Sequence, residues 1–475
     1  MVVATAPAPL RASVDRAGSG SRLSRSALAI SAVVVLIGVV LAGWAGCGFD
    51  STWNLVWSGD VLGGHAAAAA PGAFLPTPHP GSIAWGLLIR ALSFGAPLRT
   101  AWAASIESVF VVFLAGVVVL GRRTGSWAAG WIAAVTLSAL PGVAEAVTGG
   151  TVDVLFAAAC VWTVVLVARA PRAALMLSSF AALMRPEGWV LVVAVAIWSW
   201  ARLSVRARIS AVTALILLPL LWAGVGQLLF SDPLAALHVT LNNAVTLAGR
   251  RGSTPLVHAV VSALGPAMAP LWIAVVLVVL GWRRPGPVGR RAWVVAALLA
   301  AGLAAAIAGG SVFTPRYLVA ELALALPTSV SIVTNLRSRS QQLGAYAACI
   351  GVGVATIVGF HSQATTRDID MRAQSRVLAG LASTLRVAAS RCDSVAVPAL
   401  SFLPVVELSA GRHRAVVVQS TTDGGASCVL RPRDALAMQG ASWGPSTASA
   451  LLPPPPAGMR LLARTTDWTL DGVSR

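Results

Sequence analysis

Residues 47–81 read CGFDSTWNLVWSGDVLGGHAAAAAPGAFLPTPHPG. They separate the apolar stretch 27–46 from a long series of further apolar stretches, and connections of this length between membrane helices usually carry function. Asp50 falls just past the end of the first apolar stretch, at the depth of the lipid headgroups. We therefore expect the first outer loop, residues 47–100, to hold part of a functional site. The alternative is a solvated loop whose aspartates face water.

The composition indicates a polytopic membrane protein. Hydrophobic residues make up 57% of the 475 residues, and the mean hydropathy is +0.79. Apolar runs of about 20 residues recur, and each is long enough to cross a bilayer as a helix. We predict an all-α membrane domain at 26–360 with about eleven transmembrane helices, preceded by a disordered segment at 1–25. The net charge of +18 does not indicate nucleic-acid binding, because no basic patch with interleaved aromatic residues is present.

The placement of charge predicts the orientation in the cell's inner (plasma) membrane. All 35 basic residues are arginines, and they concentrate in alternate connections, which puts the N-terminus in the cytoplasm and the C-terminus outside. Apart from Asp15, the acidic residues of the connections fall on the other side. These are Asp50, Asp60, Glu145, Asp153, Glu187 and Asp232. Within the spans, Glu107 and Glu321 are expected to pair with arginines. The chemistry is therefore expected at the outer face.

The last part of the chain, residues 361–475, has shorter apolar runs and more Gly, Ser and Pro. We predict a small extracytoplasmic α/β domain there, with short strand-like runs at 394–397, 415–419 and 460–464. Cys392 and Cys428 lie in this domain and are expected to form a disulfide, since disulfides persist outside the cytoplasm.

Four carboxylates and four arginines are predicted to lie at the outer ends of the spans. They come from separate parts of the chain, including a short hairpin at 173–201 and a second outer loop at 230–262. The carboxylates Asp50, Asp153, Glu187 and Asp232 suit a proton acceptor or a metal site. The arginines Arg185, Arg250, Arg251 and Arg316 suit binding of an anionic lipid phosphate. The alternative is that the two sets only neutralise one another.

The order of these motifs resembles the GT-C class of polytopic glycosyltransferases, which use polyprenyl-phosphate sugars, and particularly the actinobacterial enzymes of cell-wall biogenesis. The resemblance covers roughly residues 27–360. It rests on Asp50-x-x-Trp53, His79-Pro80-Gly81, Thr151-Val152-Asp153, Leu183-Met184-Arg185-Pro186-Glu187-Gly188, Phe230-Ser231-Asp232-Pro233-Leu234 and Thr314-Pro315-Arg316-Tyr317-Leu318.

The resemblance implies an inverting hexosyl- or pentosyltransferase that uses a polyprenyl-phosphate sugar. Its acceptor would be an envelope glycan or glycolipid. Asp50 would be the general base, Asp153 a second carboxylate near the acceptor or metal, and Arg185 and Arg316 would bind the donor phosphate. Further candidates for substrate binding are Trp53, His79, Glu187, Asp232 and Tyr317.

No cofactor follows with certainty from the sequence. Cationic side chains or a divalent metal, Mg or Mn, would stabilise the leaving phosphate, with Asp50 and Asp153 as the candidate metal ligands. The sequence lacks an acidic residue next to Asp50 and carries the run Ala66–Ala70. In both features it departs from the family pattern.

Two other classes of function stay open at this point. A transporter or lipid flippase would also contain interrupted helices and charged residues. The charges, however, gather at one face, and the two halves of the chain show no matching interrupted spans. A catalytically inactive membrane partner protein is the third reading.

Overall fold

The computed structural model describes the membrane domain in five segments and the C-terminal domain by its strands. The described residues are 46–64, 76–138, 140–250, 286–308, 315–334, Thr384, Cys392, 394–396, 416–418, 428–432, 459–464 and 468–473. The predicted spans at 27–46, 264–282 and 342–360, and the disordered segment at 1–25, lie outside them.

The described part of the first outer loop contains two helices, of which the sequence predicts only the second, at residues 81–95. Helix α1 (Phe49–Gly63) and helix α2 (Pro80–Leu92) pack against each other. Helix α1 has no simple apolar stripe, because Ser51, Thr52 and Asn54 are buried together with its tryptophans. These polar side chains accept or donate hydrogen bonds inside the protein, as in the 2.7 Å bond from Ser82 Oγ to Asn54 Oδ1. Helix α2 confirms the helix expected at 81–95.

The following helices form the packed centre of the membrane domain. In chain order they are α3 (Leu98–Thr124), α4 (Trp127–Ser138), α5 (Pro141–Thr148), α6 (Asp153–Leu166), α7 (Pro171–Met184) and α8 (Gly188–Ser199). Helix α6 packs between α3 and α7, and α7 packs against α8 as an antiparallel hairpin. The break between α7 and α8 is the Arg-Pro-Glu-Gly turn, as the sequence predicted.

The remaining helices add two long apolar segments. These elements are α9 (Val205–Phe230), α10 (Ala235–Arg250), α11 (Pro287–Ala308), a 3₁₀ turn (Pro315–Leu318) and α12 (Val319–Thr334). Helix α10 occupies part of the predicted second outer loop. Among the described residues, α3, α9 and residues 287–307 are long and apolar enough to cross a membrane, and the bent pair of α4 and α5 makes a fourth candidate.

The C-terminal domain contains a five-stranded sheet. Its strands are β1 (Ser394–Ala396), β2 (Val416–Val418), β3 (Cys428–Pro432), β4 (Met459–Arg464) and β5 (Trp468–Val473). The order is β2-β1-β3-β5-β4, with β1 parallel to both neighbours and the other pairs antiparallel. Cys392 and Cys428 form the predicted disulfide, with Cα atoms 5.8 Å apart. It joins Cys392, two residues before β1, to the first residue of β3.

Candidate functional site

A chain of alternating charges joins four separate parts of the sequence. Arg316 Nη2 donates to Asp50 Oδ2 at 2.7 Å, and its Nε lies 3.5 Å from Asp153 Oδ2. Arg185 Nη1 donates to Asp153 Oδ1 at 2.7 Å, and its Nη2 donates to Glu187 Oε1 at 3.0 Å. Five of the predicted site residues therefore form one connected cluster, which we call the charge chain.

The Asp50–Arg316 end of the charge chain is more exposed than the rest of it. The Arg185 and Asp153 side chains are 9% and 6% exposed, whereas Arg316 is 20% and Asp50 is 32% exposed. The Arg185 end is thus embedded in protein, and the Asp50–Arg316 pair is the accessible end. A substrate that approaches the cluster would meet Asp50 and Arg316 first.

Tyr317 and Thr151 fix the middle of the charge chain. The guanidinium of Arg185 lies 4.3 Å from the centre of the Tyr317 ring, and that of Arg316 lies 5.6 Å from it. Stacking of this kind favours the charged guanidinium. Thr151 Oγ1 donates to Asp153 Oδ2 at 2.8 Å. Asp153 is also in the first turn of α6, where the helix dipole favours a negative charge.

Backbone contacts bring Asp50 to this cluster. The amides of Gly46 and Gly48 donate to the carbonyls of Thr148 and Gly149, at 3.0 and 2.9 Å. Gly150 has φ +60, and a Cβ there would lie 2.2 Å from the Gly46 carbonyl oxygen. Only glycine fits such a position without strain. This close crossing places the start of α1 beside the start of α6.

The turn between α7 and α8 presents Arg185 and Glu187. Arg185 ends α7 in an extended conformation, and α8 begins at Gly188. A Cβ on Gly188 would lie 2.6 Å from the Ala181 carbonyl carbon, so the two arms approach too closely for a larger residue. The tight turn holds both charged side chains at one end of the hairpin.

His79 lies near the charge chain at the start of α2. Its ring contacts Trp222 edge-on, with the ring centres 5.4 Å apart, and its Nδ1 is buried without a hydrogen-bond partner among the described residues. Burial and the positive charge of Arg185 lower the pKa of His79 from 6.5 to about 4. The imidazole is therefore neutral near pH 7. No motif in the sequence predicts the contact of His79 with Trp222.

Other predicted site residues lie apart from the charge chain. Trp53 is buried and stacks on Trp57, with ring centres 5.6 Å apart. Asp232 pairs with the exposed His238 at 2.7 Å, and that hydrogen bond lowers the pKa of Asp232. The side chain of Arg250 and all of Arg251 lie outside the described residues.

Three further acidic residues lie in the described segments. Asp60 is buried, and its charge acts on Arg90, whose Nε donates to Ser58 Oγ at 2.8 Å. Within the described segments, neither Glu107 nor Glu321 makes an ion pair. Glu321 is buried one helical turn beyond Tyr317, and it interacts electrostatically with Arg185 and Glu187. Sequence reasoning had assigned it no part in the site.

The charge chain does not resemble a metal site. In the segments that the structure describes, no three or more His, Cys, Asp or Glu side chains are arranged to hold a metal ion. Asp50 and Asp153 are instead both directed at Arg316. Guanidinium groups neutralise these carboxylates, so the residues present do not fit the expected Mg or Mn ion.

Comparison with known proteins identifies the fold. No family model matches the chain, and no curated protein sequence matches it. A solved structure, ArnT from Cupriavidus metallidurans bound to undecaprenyl phosphate, matches with a TM-score of 0.54 and 12% identity. The match covers 94% of this chain and 98% of that protein. The predicted fold is confirmed: the chain has the helical membrane fold of GT-C glycosyltransferases.

Proposed function

We propose that this protein is an inverting membrane glycosyltransferase that uses a polyprenyl-phosphate sugar. The donor's hexose or pentose would pass to an envelope glycan or glycolipid at the outer face of the plasma membrane. The observation that carries the proposal is the exposure of one end of the charge chain, where one carboxylate and one guanidinium, Asp50 and Arg316, are accessible together. The ArnT relative, whose structure contains undecaprenyl phosphate, supports a lipid-phosphate donor.

Arg316 is the stronger candidate for holding the donor phosphate. Its side chain is 20% exposed and pairs with the accessible carboxylate of Asp50, so a phosphate can reach the guanidinium. All three nitrogens of Arg185, by contrast, already contact Asp153 or Glu187. Arg185 therefore positions Asp153 and carries positive charge behind the site, while Arg316 makes the direct contact.

Asp50 is the proposed general base. It would accept the proton of the acceptor hydroxyl as that oxygen bonds to the anomeric carbon. The bond from the anomeric carbon to the phosphate oxygen breaks, and its electron pair leaves on the polyprenyl phosphate beside Arg316. Such a base contributes roughly 10²–10⁴-fold to the rate.

The 2.7 Å ion pair couples the two roles. Arg316 holds Asp50 while the donor is absent. A donor phosphate would compete with Asp50 for the same guanidinium, since both are anions that bind it through charge-assisted hydrogen bonds. Donor binding would thus free the base in the step before it is needed.

Purified full-length protein in lipid nanodiscs tests the proposal. It would be incubated with radiolabelled polyprenyl-phosphate mannose or arabinose and an envelope extract as acceptor. The proposal predicts donor binding and release of polyprenyl phosphate as the label moves to the acceptor. Binding without release would support an inactive partner protein. Movement of intact donor across vesicles, without release, would support a flippase.

A further inference from the structure

The end of the helical bundle opposite the charge chain carries seven arginines. Helix α6 begins at Asp153 in the site and ends about 20 Å away, close to Arg169. The connections at this end are 122–126, 167–170 and 200–204. We call the group the arginine face, and it consists of Arg122, Arg123, Arg169, Arg172, Arg202, Arg206 and Arg208.

Side-chain contacts make the arginine face continuous. Arg123 donates to the Val165 carbonyl and lies within electrostatic range of Arg169. Arg202 Nη1 donates to the Ala168 carbonyl at 3.4 Å. Arg172 Nη2 donates to Ser204 Oγ at 3.0 Å, and Arg208 Nε donates to the Trp200 carbonyl at 3.0 Å. The ends of α3, α6, α7, α8 and α9 are joined in this way.

The described acidic residues of this part of the chain lie at the other end. Between Glu107 and Asp232 the acidic residues are Glu145, Asp153 and Glu187. Asp153 and Glu187 belong to the charge chain, and Glu145 acts on Arg316. The contacts of the arginine face are instead neutral carbonyls, a hydroxyl and aromatic rings. Groups outside these helices therefore balance the positive charge of the arginine face.

The surroundings of the arginine face match the headgroup layer of a bilayer. The guanidinium of Arg122 lies 4.5 Å from the Trp127 ring centre, and that of Arg208 lies 5.5 Å from the Trp200 ring centre. Tryptophan is enriched at this depth. An exposed apolar stripe of α9 leads directly away from the arginines. It consists of Val205, Ile209, Val212 and Ile216.

We propose that the arginine face binds the phosphate groups of anionic phospholipids in the leaflet opposite the candidate site. Guanidinium groups bind phosphate through charge-assisted, often bidentate hydrogen bonds. The apolar stripe of α9 would lie along the acyl chains of the same lipids. An acidic soluble protein fits less well, because the stripe would then have no apolar partner. The inference is independent of the proposed transfer reaction.

Lipid competition on the full-length protein tests this inference. The protein would be purified in neutral detergent and titrated with phosphatidylglycerol against phosphatidylcholine, with bound lipids counted by native mass spectrometry. We expect phosphatidylglycerol to be retained preferentially and to raise the unfolding temperature. Equal retention of both lipids, or equal stabilisation by inorganic phosphate alone, would overturn the proposal.

Matched variants locate the binding. Arg169 and Arg202 are exposed, and changing both to Gln should lower phosphatidylglycerol affinity by about 10- to 30-fold, given about 1 kcal/mol for each arginine. Changing both to Lys keeps the charge and should retain most of the affinity. The exposed pair Arg460 and Arg464 on β4, changed to Gln, is the control and should have no effect. Parental affinity in the Arg169→Gln/Arg202→Gln protein would contradict the proposal, and loss of affinity in the Arg460→Gln/Arg464→Gln protein would contradict it as well.

Discussion

At the residue scale, the two arginines of the charge chain have different surroundings and should have different roles. Arg185 is buried, lies between two carboxylates and stacks on Tyr317. Arg316 is partly exposed and pairs with Asp50, the most exposed carboxylate of the charge chain. The first should act mainly on stability and the second mainly on ligand binding.

Parallel substitutions separate the two roles. Arg185→Gln leaves Asp153 and Glu187 buried without their partner, and such a loss typically costs about 3–5 kcal/mol. We expect a clear drop in unfolding temperature. Arg316→Gln should change the unfolding temperature little but weaken donor binding by about 10- to 100-fold, as for a hydrogen bond to a charged group. The reverse pattern would show that Arg185 holds the phosphate.

His79 gives the fold a specific dependence on pH. Its pKa is about 4 in the folded protein and about 6.5 when unfolded, so between these values the unfolded chain binds a proton that the folded protein does not. Stability should therefore fall as pH is lowered through this window, by at most about 3 kcal/mol. Unfolding temperatures of parent and His79→Gln protein between pH 7.5 and 5 measure it. Identical pH profiles would show that His79 stays accessible to protons.

At the scale of elements, Gly81 determines how closely α2 packs against α7. A Cβ on Gly81 would lie 2.9 Å from the Leu183 carbonyl carbon and 3.0 Å from the Met184 amide nitrogen. These are backbone atoms, so α2 itself would have to move. His79 is two residues before Gly81 and Arg185 directly follows Met184, so this contact fixes the distance between two site residues.

Alanine substitution tests this contact. Gly81→Ala should displace α2 and lower the unfolding temperature. Transfer should fall even at temperatures at which the protein is still folded, since His79 moves with the helix. Gly224→Ala in α9 is the matched control. A Cβ there meets nothing within 4 Å, and alanine should be neutral or stabilising by up to about 1 kcal/mol. Equal effects at the two positions would argue against a fixed contact between α2 and α7.

The elements also show where sequence reasoning succeeds. The hairpin of α7 and α8 was predictable, because two apolar arms flank an Arg-Pro-Glu-Gly turn. Helix α1 was not, because it buries polar side chains, and some of them bond partners distant in sequence, such as Ser51 Oγ with the Gly150 carbonyl at 2.6 Å. The clustering of Asp50, Asp153, Glu187, Arg185 and Arg316 followed from topology alone. Which carboxylate faces which arginine depends on packing that a single sequence does not encode locally.

At the scale of the whole molecule, charge is separated along the bundle. The charge chain lies at one end and the arginine face at the other. The charge pattern predicts that the arginine face is cytoplasmic and that the N-terminus lies on the same side. The orientation decides whether Asp50 can meet a donor at the outer face.

Reporter fusions test the orientation. A phosphatase that folds only outside the cytoplasm should be active when fused after Arg475, and a cytoplasmic reporter there should be inactive.

Cys392 and Cys428 should then be found joined in exported protein by non-reducing peptide mapping. Closing that loop of 36 residues should contribute about 4 kcal/mol to the C-terminal domain. Strong cytoplasmic-reporter activity with both thiols free would reverse the assigned orientation.

The most direct test of the central claim is sugar transfer by Asp50→Asn protein, measured beside donor binding. The substitution keeps the size of the side chain but removes its charge. We predict that transfer falls by roughly 10²–10⁴-fold while donor binding persists, because the phosphate is held by Arg316. Asp232→Asn is the control, since among the described residues Asp232 contacts His238 and Leu234 and no member of the charge chain, and it should transfer sugar at close to the parental rate. Parental transfer in Asp50→Asn protein, with transfer abolished in Asp153→Asn protein, would contradict the account.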